Sequence, residues 1–360
     1  MIDPSQMLQR FDVAICLSSG SANLVGKTAQ LREEWTGSVG AFCGIIRPRD
    51  NIDPLFLGLW FKGPQFRSWR DAQARGANIQ NLRLSELASL EFSLPPLPHQ
   101  RRIVAALDAQ LAAAARAHAA VASRQFDAAQ FIQRWIDDHF SSLSAGCVVR
   151  PLEEEGTIQA GVTLGKDYYP QPTVNVPYLR VANVKDGRLE LTDVKSLDVP
   201  QKTVETLALR FGDLLLTEGG DPDKVGRGTL WQEELPVCIH QNHIFRVRFD
   251  PARFDPVYLS LQFRSAYAKA YFLAHSKKTT GIASINQQVL RAYPLICHPL
   301  SEQRAIVAAY QVLEMQSSKL LKALHEQLSA LDLLPARLLA RAFTDPHGQE
   351  TQEAQLAVVR

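Results

Sequence analysis

Two short segments carry residue types whose spacing suggests chemistry. Ser21-Ala22-Asn23-Leu24-Val25-Gly26-Lys27-Thr28 follows an apolar run and ends as a phosphate-binding loop does, with backbone N–H groups and a lysine placed to cradle phosphates. That loop needs glycine six positions before the lysine. Ser21 stands there, and Gly20 comes one place too early. Cys238, His240 and His243 are metal-ligating types, but their spacing matches no zinc pattern and no second cluster completes four ligands. No Ser/His/Asp, Cys/His or paired-carboxylate constellation stands out elsewhere, so the chain reads as non-catalytic.

Amide and basic side chains are more informative. Gln241 and Asn242 can bond bidentately to adenine in a major groove, or cap the turn before a strand at Ile244–Val247. Lys277, Lys278 and Thr279 precede Gly281, as Arg67, Arg70 and Arg75 precede Gly76; matched basic places suit phosphate contact, a solvated charged face being the plainer alternative. With Ser19, Lys27, Lys224 and Arg227 on or beside glycine turns, these are the candidate DNA-contacting residues. Asn175-Val176-Pro177-Tyr178 resembles the Asn/Asp-Pro-Pro-Tyr/Phe tetrapeptide of amino-group DNA methyltransferases. It has Val at the second position and no glycine-rich cofactor loop before it, and it reads better as the start of a strand.

The elements that position these residues come in two sets. Pro95-Pro96-Leu97-Pro98-His99-Gln100-Arg101-Arg102-Ile103-Val104 returns as His298-Pro299-Leu300-Ser301-Glu302-Gln303-Arg304-Ala305-Ile306-Val307. The copies lie about 200 residues apart, far beyond the roughly 20–50-residue period of a solenoid. Upstream, Arg10-Phe11-Asp12-Val13 pairs with Arg210-Phe211-Gly212-Asp213, Val25-Gly26-Lys27 with Val225-Gly226-Arg227, and Asp53-Pro54-Leu55 with Asp255-Pro256-Val257. The chain is a duplication, each unit ending in a long helix.

At 360 residues and 46% hydrophobic, the chain has material for two cores. A net charge of +2 announces no global field for nucleic acid and leaves room for a local basic face. Five scattered cysteines without a CxxC read as reduced thiols; with no membrane span or signal peptide in view, the expectation is a cytoplasmic protein.

Short strands and turns are expected over 1–98, including Val13–Leu17 and Ala41–Ile46, with helical spacing at 55–72. The stripe Val104, Leu107, Leu111, Ala114, Ala117, Val121, Ala128, Ile132 and Trp135 predicts a helix over 99–140. A second mixed region spans 146–299, with strands at Tyr178–Val181, Leu214–Thr217 and Ile244–Val247 and a solvated acidic run at Glu153-Glu154-Glu155. From Ser301, read as an N-cap, Ile306, Tyr310, Leu313, Leu320, Leu324, Leu328 and Leu331 predict a second helix, which Pro335 should kink or restart. Residues 345–360 read as a loose tail. Helices of ~40 residues run ~60 Å, so pairing their stripes antiparallel would make a spacer with a globular unit at each end.

The Pro-Leu-Pro/Ser-x-Gln-Arg-x-Ile-Val phrase, the long helix after it, the Gly212-Asp213-Leu214-Leu215 strand and the closing Leu334-Pro335-Ala336-Arg337-Leu338-Leu339-Ala340-Arg341-Ala342-Phe343 together resemble the specificity (S) subunits of type I restriction–modification systems. The resemblance implies an α+β fold with two target recognition domains joined and separated by two long antiparallel spacer helices. On this chain these become a first recognition domain at 1–98, a spacer helix at 99–145, a second recognition domain at 146–299, a second spacer at 300–344, and the tail. It implies split-site reading of double-stranded DNA, with methyltransferase (M) and motor–nuclease (R) subunits as partners. It also implies that S-adenosylmethionine and ATP bind those partners, this chain holding no cofactor or metal. Only nine residues precede Arg10 whereas about 60 precede Arg210 in the second domain, so the first domain is expected to lack its opening half. It should expose a strand edge, completed by a second S chain or another polypeptide. A non-catalytic scaffold without base readout, and a nucleotide-binding loop at Lys27, are the other classes left open.

Overall fold

The computed structural model describes residues 6–21, 24–73, 80–141, 147–221, 224–279, 281–344, 352–355 and 357–359. They form two compact units, Met1–Gln125 with Lys322–Arg360, and Phe126–Leu321. Arg75 lies outside the described residues.

The first part of the chain gives β1 (Val13–Cys16), β2 (Ser18–Ser19), β3 (Thr28–Gln30), β4 (Cys43–Arg47), α1 (Pro54–Trp60), α2 (Pro64–Gln73), β5 (Gln80–Asn81), α3 (Leu84–Ala88) and β6 (Glu91–Leu94), then the long α4 (Leu97–Ser141). Next come β7 (Val148–Pro151), α5 (Leu152–Glu155), β8 (Gly156–Ala160), β9 (Thr173–Leu179), β10 (Val184–Lys185), β11 (Arg188–Leu189), β12 (Lys195–Pro200) and α6 (Gln201–Leu207). The duplicated set follows as β13 (Leu214–Thr217), β14 (Gly219–Gly220), β15 (Gly228–Leu230), β16 (Ile239–His240), β17 (Ile244–Phe249), α7 (Pro256–Arg264) and α8 (Ala266–His275). After it come β18 (Lys277–Thr279), β19 (Ile282–Ser284), α9 (Gln287–Arg291), β20 (Pro294–Cys297) and the second long helix α10 (Leu300–Thr344), then β21 (Gln352–Gln355) and β22 (Ala357–Val359).

Each unit is built on an antiparallel four-stranded sheet, ordered β22-β4-β1-β3 in the first and β8-β17-β13-β15 in the second. The same small side chains pin both. Asp12 and Asp213 are buried and receive bidentate hydrogen bonds from Arg47 and Arg248, at 2.7–2.9 Å and 2.7 Å. Asp53 and Asp255 cap α1 and α7, accepting from the Leu55 and Phe56 N–H groups just after Pro54 and from those of Val257 and Tyr258 just after Pro256.

The repeated glutamine is explained by the same comparison. Gln100 Oε1 accepts from Asp53 N at 2.7 Å, while its Nε2 donates to the Asn51 and Pro95 carbonyls. Gln303 accepts from Asp255 N at 2.8 Å and donates to the Arg253 and His298 carbonyls. Both amides are fully buried. They tie the first turn of each long helix to the cap of the short helix it packs beside.

The residues read as a loose tail behave differently. Strand β21 pairs with β6, and β22 with β4, as β7 pairs with β20 and β8 with β17 in the second unit. The edge expected to lie open in the first unit is therefore covered, because Gln352–Gln355 and Ala357–Val359 restore the backbone partners that β6 and β4 need. What the first unit lacks, among the described residues, is a counterpart of the β12-β9-β16 sheet and the β10–β11 hairpin. In the second unit this insertion packs Leu179, Val184 and Leu209 against Leu215 and Trp231, so β13 is buried on both faces. In β1 buried and half-buried positions alternate, as in a sheet with one covered face.

The long helices pair antiparallel within each unit. In the first, His118 meets Asp332 at 3.1 Å and Val104, Leu107 and Leu339 share the core; in the second, Ser317 lies 3.5 Å from the Ala128 carbonyl and Trp135 packs on Tyr310. The covered stripe steps every 3.5 residues through 104, 107, 111, 114, 118 and 121, the period of a left-handed coil. It takes His118 where Ala117 was expected, and Ser317 and Leu321 where Leu320 was, Leu320 being 50% exposed. Pro335 neither breaks nor restarts α10: Leu338, Leu339, Ala342 and Phe343 beyond it pack into the first core, and that burial offsets the lost backbone bond. Helix α10 starts at Leu300, so Ser301 lies in its first turn instead of capping it. Glu155 is not solvated; its carboxylate is buried against Arg253 at 2.5 Å and Arg150 at 3.5 Å.

Candidate nucleic-acid interface

In the second unit three segments meet at Glu218. Its N–H donates to the His243 carbonyl, and its own carbonyl accepts from Ile285 N. Beyond it β14 pairs with β19, which pairs with β18, so Lys277 and Lys278 stand exposed on the same small sheet as Gly219-Gly220. The turn from β14 to β15 carries Lys224, which pairs with Asp221 and holds that carboxyl below the usual carboxylate range. Arg227 follows, half-buried, its Nε without a hydrogen-bond partner. Gly226 has φ +66°, and a Cβ there would lie 2.4 Å from the Phe272 ring, so only glycine makes this turn.

Gln241 and Asn242 occupy the turn between β16 and β17. Their backbones are fixed by Gln241 N to Leu179 O and Asn242 N to Val162 O, and both side chains are half-buried. His243 donates from Nδ1 to Glu218 Oε2 at 2.5 Å. Strands β14, β18 and β19 and this turn thus bring Lys224, Arg227, Gln241, Asn242, Lys277, Lys278 and Thr279 around one loop cluster. Sequence reasoning missed Glu218 and Asp221, the acidic partners inside a basic cluster. The sequence alignment of the duplicated strands sets Leu17 against Thr217, and only the backbone hydrogen bonds bring Leu17 into register with Glu218.

The first unit repeats the plan with β2 paired to β5, so Ser19 sits opposite Gln80 and receives the Ser21 N–H on its hydroxyl. Lys27 is exposed on the turn into β3. Helix α2 carries Arg67, exposed, and Arg70, whose guanidinium is held by Asp71 and whose stem covers Gly26 as Phe272 covers Gly226. Arg70 is therefore a packing residue with an occupied charge. After Lys27 the chain enters β3, antiparallel to β1, where a nucleotide loop would lead into a helix.

His240 sits in the core. Its ring is buried, Nδ1 bonds the Ile244 carbonyl at 3.0 Å, and burial with repulsion from Arg246 pushes its pKa down to about 4. Burial pushes the Cys238 thiol up to about 12. Among the described residues no helix is long and apolar enough to cross a membrane.

Comparison with known proteins points the same way. The family model for the type I restriction modification DNA specificity domain matches residues 11–116. The EcoKI type I restriction enzyme specificity subunit of Escherichia coli (strain K12) is 26% identical over 362 residues, covering 95% of this chain and 76% of that one. The StySPI specificity subunit of Salmonella potsdam is 23% identical over 356 residues, with the same shares. In fold, the chain is similar to the HsdS subunit from Thermoanaerobacter tengcongensis, with a TM-score of 0.64 at 20% identity over 95% of this chain and 83% of that one. A chain from a structure of type I R-M complex assembly gives 0.69 at 20% identity over 94% and 82%. The duplicated units and the paired long helices accompany a similarity to type I restriction–modification specificity subunits that runs over nearly the whole chain.

Proposed function

We propose that the chain is the DNA-reading subunit of a type I restriction–modification complex, each unit reading one half of a split target through the loop cluster around β2 or β14. The observation that carries this reading is the repetition of that cluster on the same strands in both units, with exposed Lys27 in one and Lys277 and Lys278 in the other. Basic side chains on turns contact phosphate, and amides such as Gln241 and Asn242 reach base edges. The long helices dock the M subunits, and R subunits join the complete enzyme. S-adenosylmethionine and ATP bind to those partners, and this chain contributes recognition without bond making.

Sequencing of methylated bases in a host carrying this chain with its M partner tests the proposal. A bipartite methylated motif is expected. Binding that disappears at moderate salt and shows no base preference would leave only a scaffold role.

A further inference from the structure

The two loop clusters share a backbone and differ in one pair of side chains. Glu218 N bonds His243 O at 3.0 Å and Ile285 N bonds Glu218 O at 2.8 Å; Leu17 N bonds Phe42 O and Leu82 N bonds Leu17 O, both at 2.8 Å. Leu17 and Phe42 therefore occupy in the first unit the places of Glu218 and His243 in the second. Adjoining strands keep the match, with Ser18 opposite Asn81 and Gly219 opposite Ser284.

At these places one unit carries a hydrogen-bonded carboxylate–imidazole pair and the other an apolar pair. The Glu218 side chain is 33% exposed and the His243 ring 54%. Phe42 is 68% exposed and Leu17 half-buried. Leu17 packs at the edge of the first core, while Phe42 is not among the residues of that core. A carboxylate among Lys224, Lys277 and Lys278 opposes phosphate, so its presence at a DNA surface calls for a compensating donor. In the major groove that donor is an exocyclic amine, and the glutamate pairing is with cytosine N4. An exposed phenyl ring has one specific base contact in that groove, the thymine C5-methyl.

We propose, resting on the DNA-reading function above, that these paired positions specify one base in each half-site. Glu218, its rotamer held by His243, accepts from a cytosine amine in the half-site of the second unit. Phe42, exposed at the matching place, packs on a thymine methyl in the half-site of the first. The two half-sites then differ in sequence because the units differ at this node, while the surrounding backbone is shared.

The test uses the chain assembled with its M subunits and a library of synthetic duplexes. Glu218→Gln, isosteric but bearing a donor, should lose preference for cytosine at one position by about tenfold and keep the other positions. Replacing thymine by uracil, one position at a time, removes only the methyl group. One position in the other half-site should weaken severalfold with the wild-type complex and not with Phe42→Ala. An unmodified preference in Glu218→Gln, or no uracil-sensitive position, overturns the corresponding assignment. A wild-type complex with no base preference at all overturns the DNA-reading function itself, which keeps the two failures apart.

Discussion

Gln100 and Gln303 each satisfy three backbone groups from a buried amide, so replacing one exposes the whole arrangement at once. Gln303→Leu should destabilise the chain by about 2–4 kcal/mol, since two carbonyls and one N–H lose partners without access to water. Urea unfolding midpoints measure this, and an unchanged midpoint would count against the buried-amide account. His240 supplies a pH dependence whose sign follows from burial. The folded state holds the ring neutral down to pH about 4, facing Arg246 and Asp213, while the unfolded chain takes up its proton below the usual value of 6.5. Its contribution is present above pH 6.5 and is lost as pH falls from 6.5 toward 4, a loss on the order of 3 kcal/mol. His240→Phe should flatten that decline in unfolding experiments across pH. At this scale the sequence spoke unevenly. The duplicated glutamine was visible as a repeated letter, yet its three bonds were not, because two of them reach residues 47–50 positions away. Arg70 read as a phosphate contact, and its pairing with the adjacent Asp71 was overlooked in favour of the charge pattern.

Helices announced themselves where periodicity was long. Both 45-residue helices follow apolar stripes that sequence alone displays, and the errors at Ala117 and Leu320 come from using a 3.6-residue helix where the pair follows a 3.5-residue seam. Strands β1, β13 and β17 were legible as apolar runs. Strands β21 and β22 were not, because a polar four-residue segment and an apolar three-residue one are too short to show a period and acquire strand structure only from the edge they meet. Their pairing with β6 and β4 predicts that ending the chain at Thr344 weakens the first unit selectively. Amide exchange at Val13–Cys16 should accelerate about tenfold or more, in keeping with local opening of a sheet stripped of an edge strand, while Leu214–Thr217 should keep its protection. Equal protection in both forms would show that the first sheet holds without residues 352–359.

For the whole molecule, the formal charge of +2 conceals where binding charge is concentrated. Neutralising exposed Lys277 and Lys278 together should weaken binding of the M-containing complex to all sequences alike and reduce the salt slope of log K by about 2. Titration of binding against salt reads this directly, and a slope unchanged from wild type would remove the two lysines from the phosphate contacts. The tail strands carry a different consequence, one of timing. Ile45 pairs with Val359, a contact of very high sequence separation inside a small sheet. During synthesis at ~5–20 residues per second, β4 waits ~15–60 s after its own emergence before its partner exists. The second unit, whose β8 and β17 lie within one stretch of chain, has no such delay. The nascent protein therefore matures in reverse order, its second unit settling first, and β4 stays open to other strands until the ribosome has delivered residues 357–359.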